Sequence, residues 1–243
     1  MASGLAAAHA IVLVVVSPHL DDAVFGCGAL LARAPGATIV TVCAGTPALA
    51  ASTAWDTACG FADSAEAIAA RRAEDRRAAH LVGAASWPLA FLDAQYRAVA
   101  PGPPRDDEAA LEAAVADALA TPLRQLAPSV ALYPLGLFHA DHRRVHRGAG
   151  SALERIAVRA SWAYEDAIYR AIPGVLQRRL AELEAAGVRA RPLRLKPATA
   201  AEHAAKARAA AAYASQWRAL GERARADVAA PERYWHLSVR HDG

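Results

Sequence analysis

The chain is expected to adopt an α/β fold of three layers, with helices on both faces of a mostly parallel sheet. Three observations lead there. Residues 10–16 (AIVLVVV) form an unbroken aliphatic run, the pattern of a strand buried on both faces. Short apolar runs then alternate with alanine-rich segments of helical character along the whole sequence. Its 243 residues and 55% hydrophobic content suit one domain spanning 1–243, with a core that needs no disulfide.

After the first strand, Ser17-Pro18 marks its end, and residues 22–33 read as a helix packed closely through Gly26, Gly28 and several alanines. A second strand at 37–43 (ATIVTVC) completes a βαβ unit. Residues 44–60 carry turn residues and little periodicity, so a long surface loop bordering the substrate is expected. Residues 63–82 read as a helix with Asp63 or Ser64 at its N-cap and Gly83 closing it. A weaker strand at 86–89 leads into a Pro- and Gly-rich loop through Pro104, and then a strong helix over 107–126. Residues 129–133 (SVALY) are the next strand, followed by a loop through His139, a helix over 141–159 and a strand at 161–164. Helices at 174–186 and 200–221, with short strands at 191–195 and 235–239, complete the alternation without an internal repeat.

A net charge of +3 from 27 basic and 24 acidic residues is a mixed surface without a basic stripe, which excludes nucleic acid as the expected partner. Cys27, Cys43 and Cys59 lack the short pair spacing of structural zinc sites and read as small buried thiols. No basic n-region of a signal peptide precedes the first strand, and residues 11–16 are too short to span a membrane, so a cytoplasmic protein without a membrane span is expected.

In such a fold the loops at the carboxyl ends of the strands carry the ligand site. Two polar clusters fall there. Ser17-Pro18-His19-Leu20-Asp21-Asp22 places an imidazole and two carboxylates at the first strand-to-helix turn. Helix capping by Asp21 or Asp22 is the plain alternative. The second cluster, His139-Ala140-Asp141-His142, follows the 129–133 strand and adds two imidazoles around a carboxylate. Catalytic zinc is held by three His and Asp or Glu ligands with a fourth position left for water, and His19, Asp22 and His142 supply such a set. Asp21, left unligated, is placed to accept a proton from water activated by the metal. His139 is placed to stabilise a tetrahedral oxyanion or protonate a leaving amine, with Asp141 expected to hold its ring and favour the cation. His146, four residues after His142, is expected to be a surface or supporting histidine rather than a further ligand.

At these residues the sequence resembles the PIG-L/LmbE-like zinc deacetylases, whose signatures are a Pro-His-x-Asp-Asp turn and a later His-x-Asp-His, here Pro18 to Asp22 and His139 to His142. The likeness extends through Arg71-x-x-Glu74 and Asp93 over the first two thirds of the chain and loosens beyond His146. It implies a Rossmann-like three-layer α/β/α sandwich and a zinc-dependent hydrolase that removes an N-acetyl or other N-acyl group from an N-acetylglucosamine-type sugar or glycoconjugate. His19, Asp22 and His142 are then the metal ligands, Asp21 the base, His139 the acid or oxyanion stabiliser, and Arg71 and Asp93 the contacts to substrate hydroxyls. For Arg71 an exposed i, i+3 ion pair with Glu74 is the alternative. One departure is Ala23, where the family commonly has an acidic residue.

The residues leave neighbouring activities open: an amidase of a mycothiol-type thiol conjugate, a tailoring deacylase of secondary metabolism, or a non-catalytic sugar- or nucleotide-binding module. The absence of G-x-G-x-x-G after the first strand argues against the last. Zn²⁺ is the expected ion, although Fe²⁺ suits N/O donor sites of this kind. In the long loop that carries Trp55-Asp56 and Phe61 an aromatic ring either stacks on the apolar face of a sugar or packs in the core, and Tyr213, Ser215, Gln216 and Trp217 read as structural. Nothing in the sequence fixes the oligomeric state.

Overall fold

The computed structural model describes residues 11–99 and 107–239. β1 (Leu13–Ser17), α1 (Asp22–Arg33) and β2 (Thr38–Thr41) form the first βαβ unit. There follow α2 (Ala54–Cys59), α3 (Ser64–Leu81), β3 (Ala85–Pro88), α4 (Ala94–Val99) and α5 (Glu108–Leu126), then β4 (Val130–Pro134), α6 (Ala140–Ile156) and β5 (Ser161–Tyr164). The last third holds α7 (Val175–Ala185), β6 (Val188–Leu193), α8 (Ala200–Ala211), α9 (Ala214–Ala219), α10 (Glu222–Ala229) and β7 (Tyr234–Val239).

The strands form one sheet in the order β3-β2-β1-β4-β5-β7-β6. The first five run parallel, and β7 and β6 add an antiparallel edge. This is the three-layer, mostly parallel Rossmann-like sandwich that the sequence predicts. β1 is central, and its residues alternate between the two cores: Leu13 and Val15 pack with Val24, Leu31 and Ala209, while Val14 and Val16 pack with Leu119, Leu123 and Val145. A strand apolar on both faces is what this position requires.

Sequence and structure part at several points. The 44–60 segment contains α2, capped by Thr53 accepting from Asp56 N–H and ended by left-handed Gly60 (φ 90°). The loop after β3 likewise contains α4. Both helices have six residues, too few to show a 3.6-residue period. The helix expected over 200–221 breaks at Ala212–Tyr213, because Tyr213 is driven into the core, where its hydroxyl donates to Asp75 Oδ1 at 2.9 Å. The polar, alanine-rich α10 was not anticipated, and the strand expected at 191–195 lies at Val188–Leu193. Ala10 and residues 100–106 of the expected strand and loop lie outside the described residues.

Parallel order brings the carboxyl ends of β1 to β5 to one edge. Two features shape the loops there. At Gly45, whose N–H donates to Phe91 O at 2.8 Å, a Cβ would stand 2.3 Å from Ala90 O, so only glycine lets the loop after β2 lie against the one that carries Asp93. Phe138 (φ 51°) and Ile168 (φ 67°), in the loops after β4 and β5, occupy the left-handed region that bulky residues avoid.

Candidate functional site

The turn after β1 is built around Ser17, whose hydroxyl donates to His19 O at 2.7 Å and accepts from Ala23 N–H at 3.0 Å. Asp21 holds the N-cap position of α1, yet its side chain makes no capping hydrogen bond. Asp22 folds back instead, accepting the His19 N–H at 2.9 Å. The capping alternative therefore does not account for either carboxylate. On the other side of the site His139 is the N-cap of α6, its Nδ1 accepting the Asp141 N–H at 3.2 Å, which places His142 on the first turn facing β1.

These two turns bring His19, Asp22 and His142 together. Asp22 Oδ2 lies 3.1 Å from both His19 Nδ1 and His142 Nε2. His142 is fully buried and its Nε2 has no aligned hydrogen-bond partner. Tetrahedral zinc with bonds of about 2.0–2.1 Å separates its ligand atoms by about 3.3 Å, close to the distance of Asp22 Oδ2 from each imidazole nitrogen. The outward nitrogens are also occupied: His19 Nε2 meets Asp141 Oδ2 at 3.1 Å and His142 Nδ1 meets Asp166 Oδ1 at 2.5 Å, the carboxylate–histidine arrangement that orients ligating imidazoles. The residues present therefore fit a divalent metal. Among the described residues, two sets bring ligand atoms within 4.8 Å of one another, His19, His139 and His142, and His19, Cys43 and Asp141; the expected trio of His19, Asp22 and His142 is not one of them. In the first, His139 has only Nε2 free; in the second, burial pushes the Cys43 thiol up to about 12.

The electrostatics favour a cation. Burial lowers the pKa of an imidazole, yet Asp93, Asp141 and Asp22 carry His19 well above its usual value, and Asp22 and Asp166 carry His142 up to about 9. Against the effect of its own burial, Asp22 is held well below the carboxylate range by His142 and His19. Asp21 behaves oppositely. Burial and then the Asp22 charge raise it to about 7, with Arg71 opposing. His139 is lowered to about 4 by burial and by His19 and His142.

Asp141 corrects the sequence reading. Its carboxylate does not hold the His139 ring; it accepts from Ala94 N–H at 2.8 Å, pairs with Arg97 at 2.6 Å and Arg144 at 2.5 Å, and meets His19. Only its backbone N–H reaches His139, because the N-cap turn directs that N–H toward the ring and sends the side chain toward β1. The Asp141 N–H directed at Nδ1 and the lowered pKa both favour a neutral His139 ring with its proton on Nε2.

Arg71 is 4% exposed, with its guanidinium 3.9 Å from Asp21 and 3.8 Å from Asp93, and Asp93 lies 3.8 Å from His19 Nε2. The surface ion pair with Glu74 is not formed; Glu74 accepts from the N–H and hydroxyl of Ser215 at 2.9 and 2.6 Å. His146 is buried, bonded to Pro134 O at 2.8 Å and lowered to about 3 by burial, so it supports the loop after β4 and is no surface histidine. Trp55 donates to Gln216 at 3.1 Å, and buried Asp56 accepts from Tyr96 at 3.0 Å.

Asp166, Tyr169, Arg97 and Arg144 were missed by sequence reasoning. Asp166 sits just beyond β5 and could have been found by the strand-end rule that picked out the other two clusters. The arginines carry no local signal.

Residues 14–153 match the PIG-L family model, described as GlcNAc-PI de-N-acetylase. Among solved structures, the A40926 pseudoaglycone deacetylase is 23% identical with a TM-score of 0.75, over 96% of this chain and 100% of that one. A teicoplanin deacetylase in complex with teicoplanin is 25% identical with a TM-score of 0.75, over 95% and 99%. The zinc-inhibited form of teicoplanin deacetylase is 24% identical with the same TM-score of 0.75, over 95% and 99%. The N,N'-diacetylchitobiose deacetylase from Pyrococcus horikoshii is 16% identical with a TM-score of 0.55, over 95% and 85%. No curated protein sequence matches the chain significantly. No helix among the described residues is long and apolar enough to cross a membrane.

Proposed function

This chain belongs to the PIG-L family, and from that premise we propose that it is a metal-dependent deacetylase that hydrolyses the N-acetyl amide of an amino-sugar-containing small molecule or glycoconjugate. The observation that carries the reading is the convergence of His19 Nδ1, Asp22 Oδ2 and His142 Nε2, with Asp22 3.1 Å from each imidazole and His142 Nε2 otherwise unpartnered. These three would hold the ion, for which zinc suits a small set of N and O donors and iron is the competitor. The structures of deacetylases acting on sugar-bearing molecules support the substrate class through the shared fold.

When bound, the metal supplies an activated water and polarises the amide carbonyl. Asp21, unengaged by the helix and raised to about 7, accepts a proton from the attacking water and returns it to the leaving nitrogen. The His139 Nε2–H donates to the carbonyl oxygen as it gains charge, a role that a neutral imidazole fills. Asp141 and Asp166 hold the His19 and His142 rings in orientation. Arg71, 3.9 Å from Asp21, and Asp93, 3.8 Å from Arg71, would bind sugar hydroxyls.

The reading is tested by assaying free-amine release from N-acetylglucosamine conjugates beside a mycothiol-type amide. Release from the sugar conjugates supports it; turnover of the thiol conjugate alone moves the assignment to the amidase, since pocket shape sets the ratio of kcat/KM values.

A further inference from the structure

The short helices α2 and α4, which follow β2 and β3, are joined by a closed circuit of hydrogen bonds that ends on Asp93. Thr53 caps α2, its hydroxyl oxygen accepting the Asp56 N–H at 3.1 Å. As acceptor there, the hydroxyl directs its one proton to Gln95 Oε1, 2.6 Å away on α4. That bond turns the other end of the Gln95 amide toward Asp93, where Nε2 donates to Oδ2 at 3.3 Å, while the Gln95 N–H donates to Oδ1 at 3.1 Å. Tyr96 closes the circuit: its N–H donates to Asp93 O at 3.0 Å and its hydroxyl to buried Asp56 Oδ1 at 3.0 Å.

The oxygen tethered by the Gln95 amide is the one nearest the site. Asp93 Oδ2 stands 3.8 Å from Arg71 Nη1 and 3.8 Å from His19 Nε2, beyond hydrogen-bonding distance of either. A buried guanidinium beside an untethered carboxylate closes to a charge-assisted pair at about 2.7–2.9 Å. Arg71 does not, and its buried Nε has no hydrogen-bond partner. His19 Nε2 is bound by Asp141 Oδ2 at 3.1 Å instead. Arg71 and Asp93 thus stand side by side, one a donor and one an acceptor, without bonding each other, and a sugar hydroxyl, which is donor and acceptor at once, suits both.

We infer that Gln95 is a positioning residue for substrate recognition: by tethering Asp93 Oδ2 it keeps Asp93 from collapsing onto Arg71 or His19, so that Arg71 and Asp93 bind a sugar hydroxyl instead of each other. This rests on the deacetylase reading above and adds to it a residue outside both the proposed ligand set and the reacting groups. It also gives α2 a part in the site, because the Thr53 cap sets the direction of the Gln95 amide.

The test uses the full-length, zinc-loaded protein with the methyl glycoside of N-acetylglucosamine as substrate and methyl glucosaminide as binding probe in calorimetry. Gln95→Glu keeps an acceptor for Thr53 but has no donor for Asp93, whereas Gln95→Leu loses both. Both variants are expected to raise KM and the probe Kd about tenfold with kcat changed by less than about twofold, the pattern of lost binding rather than lost chemistry, and to keep the zinc affinity of the wild type. If Gln95 merely braces α2 against α4, Gln95→Glu matches the wild type and only Gln95→Leu is impaired, which overturns the inference. A loss confined to kcat or to zinc affinity overturns it as well, and each of these results leaves the deacetylase reading intact. Probe binding weakened in both variants, with no hydrolysis by any of the three proteins, upholds the role of Gln95 and removes the deacetylase. A wild type that neither binds the probe nor hydrolyses the substrate overturns both.

Discussion

Asp166 Oδ1 lies 2.5 Å from His142 Nδ1, and the other oxygen of the same carboxylate accepts the N–H groups of Gly136 and Leu137 at 3.0 and 2.9 Å. One buried side chain at the end of β5 thus fixes both the ring of a proposed metal ligand and the loop that leads to His139. Asp166→Ala is expected to lower zinc affinity about 10- to 100-fold, with Asp166→Asn in between. Competitive zinc titration measures it, and an unchanged affinity would remove His142 from the ligand set.

Asp21→Asn separates chemistry from metal binding. The side chain neither caps α1 nor belongs to the proposed ligand set. The variant is expected to bind zinc as the wild type does, with kcat reduced about 10²- to 10⁴-fold. Full activity in a metal-loaded Asp21→Asn protein contradicts the base assignment.

Asp141 anchors a buried charge cluster rather than the His139 ring. Removing its carboxylate leaves Arg144, 3% exposed, without its buried partner, and frees Arg97. Asp141→Ala is expected to cost about 3–5 kcal/mol of folding stability, measured by denaturant unfolding. A loss below about 1 kcal/mol would show that the pairs are no stronger than surface ones.

The Asp75 pair predicts a pH-dependent loss. Burial raises the Asp75 pKa, while hydrogen bonds from Ser86 at 2.5 Å and Tyr213 at 2.9 Å favour its charged form. A raised carboxyl pKa means that the folded state holds the proton more tightly than the unfolded chain, so Asp75 opposes folding increasingly as pH rises through its folded pKa. Tyr213→Phe removes a donor to the charged form and is expected to cost about 1–3 kcal/mol. The cost is larger at neutral pH than near pH ~4, close to the ordinary aspartate value; equal costs at both would contradict the assignment.

His19, Asp21, Asp22, His139 and His142 were legible because each cluster is local and falls at a strand end, where the α/β pattern places ligands. Asp166 is a single carboxylate 24 residues after His142, joined to it only through the parallel pairing of β4 and β5. The direction of Asp141 was unreadable for another reason: whether its side chain or its N–H meets His139 depends on the cap geometry of α6. In the fold, Asp63, one of two candidate N-caps, announced α3 and does accept two N–H groups of its first turn, whereas Asp107, read as the first residue of its helix, is the N-cap of α5. The six-residue α2 and α4 left no period to read, and the break before α9 is imposed by burial of Tyr213 against α3.

The most direct test strips the purified protein with a chelator and follows free-amine release from an N-acetylglucosamine conjugate while zinc is returned. The proposed ligation of one ion by His19, Asp22 and His142 predicts no release from the stripped protein and full recovery at about one zinc per chain. Undiminished release from protein shown by elemental analysis to be metal-free would contradict it.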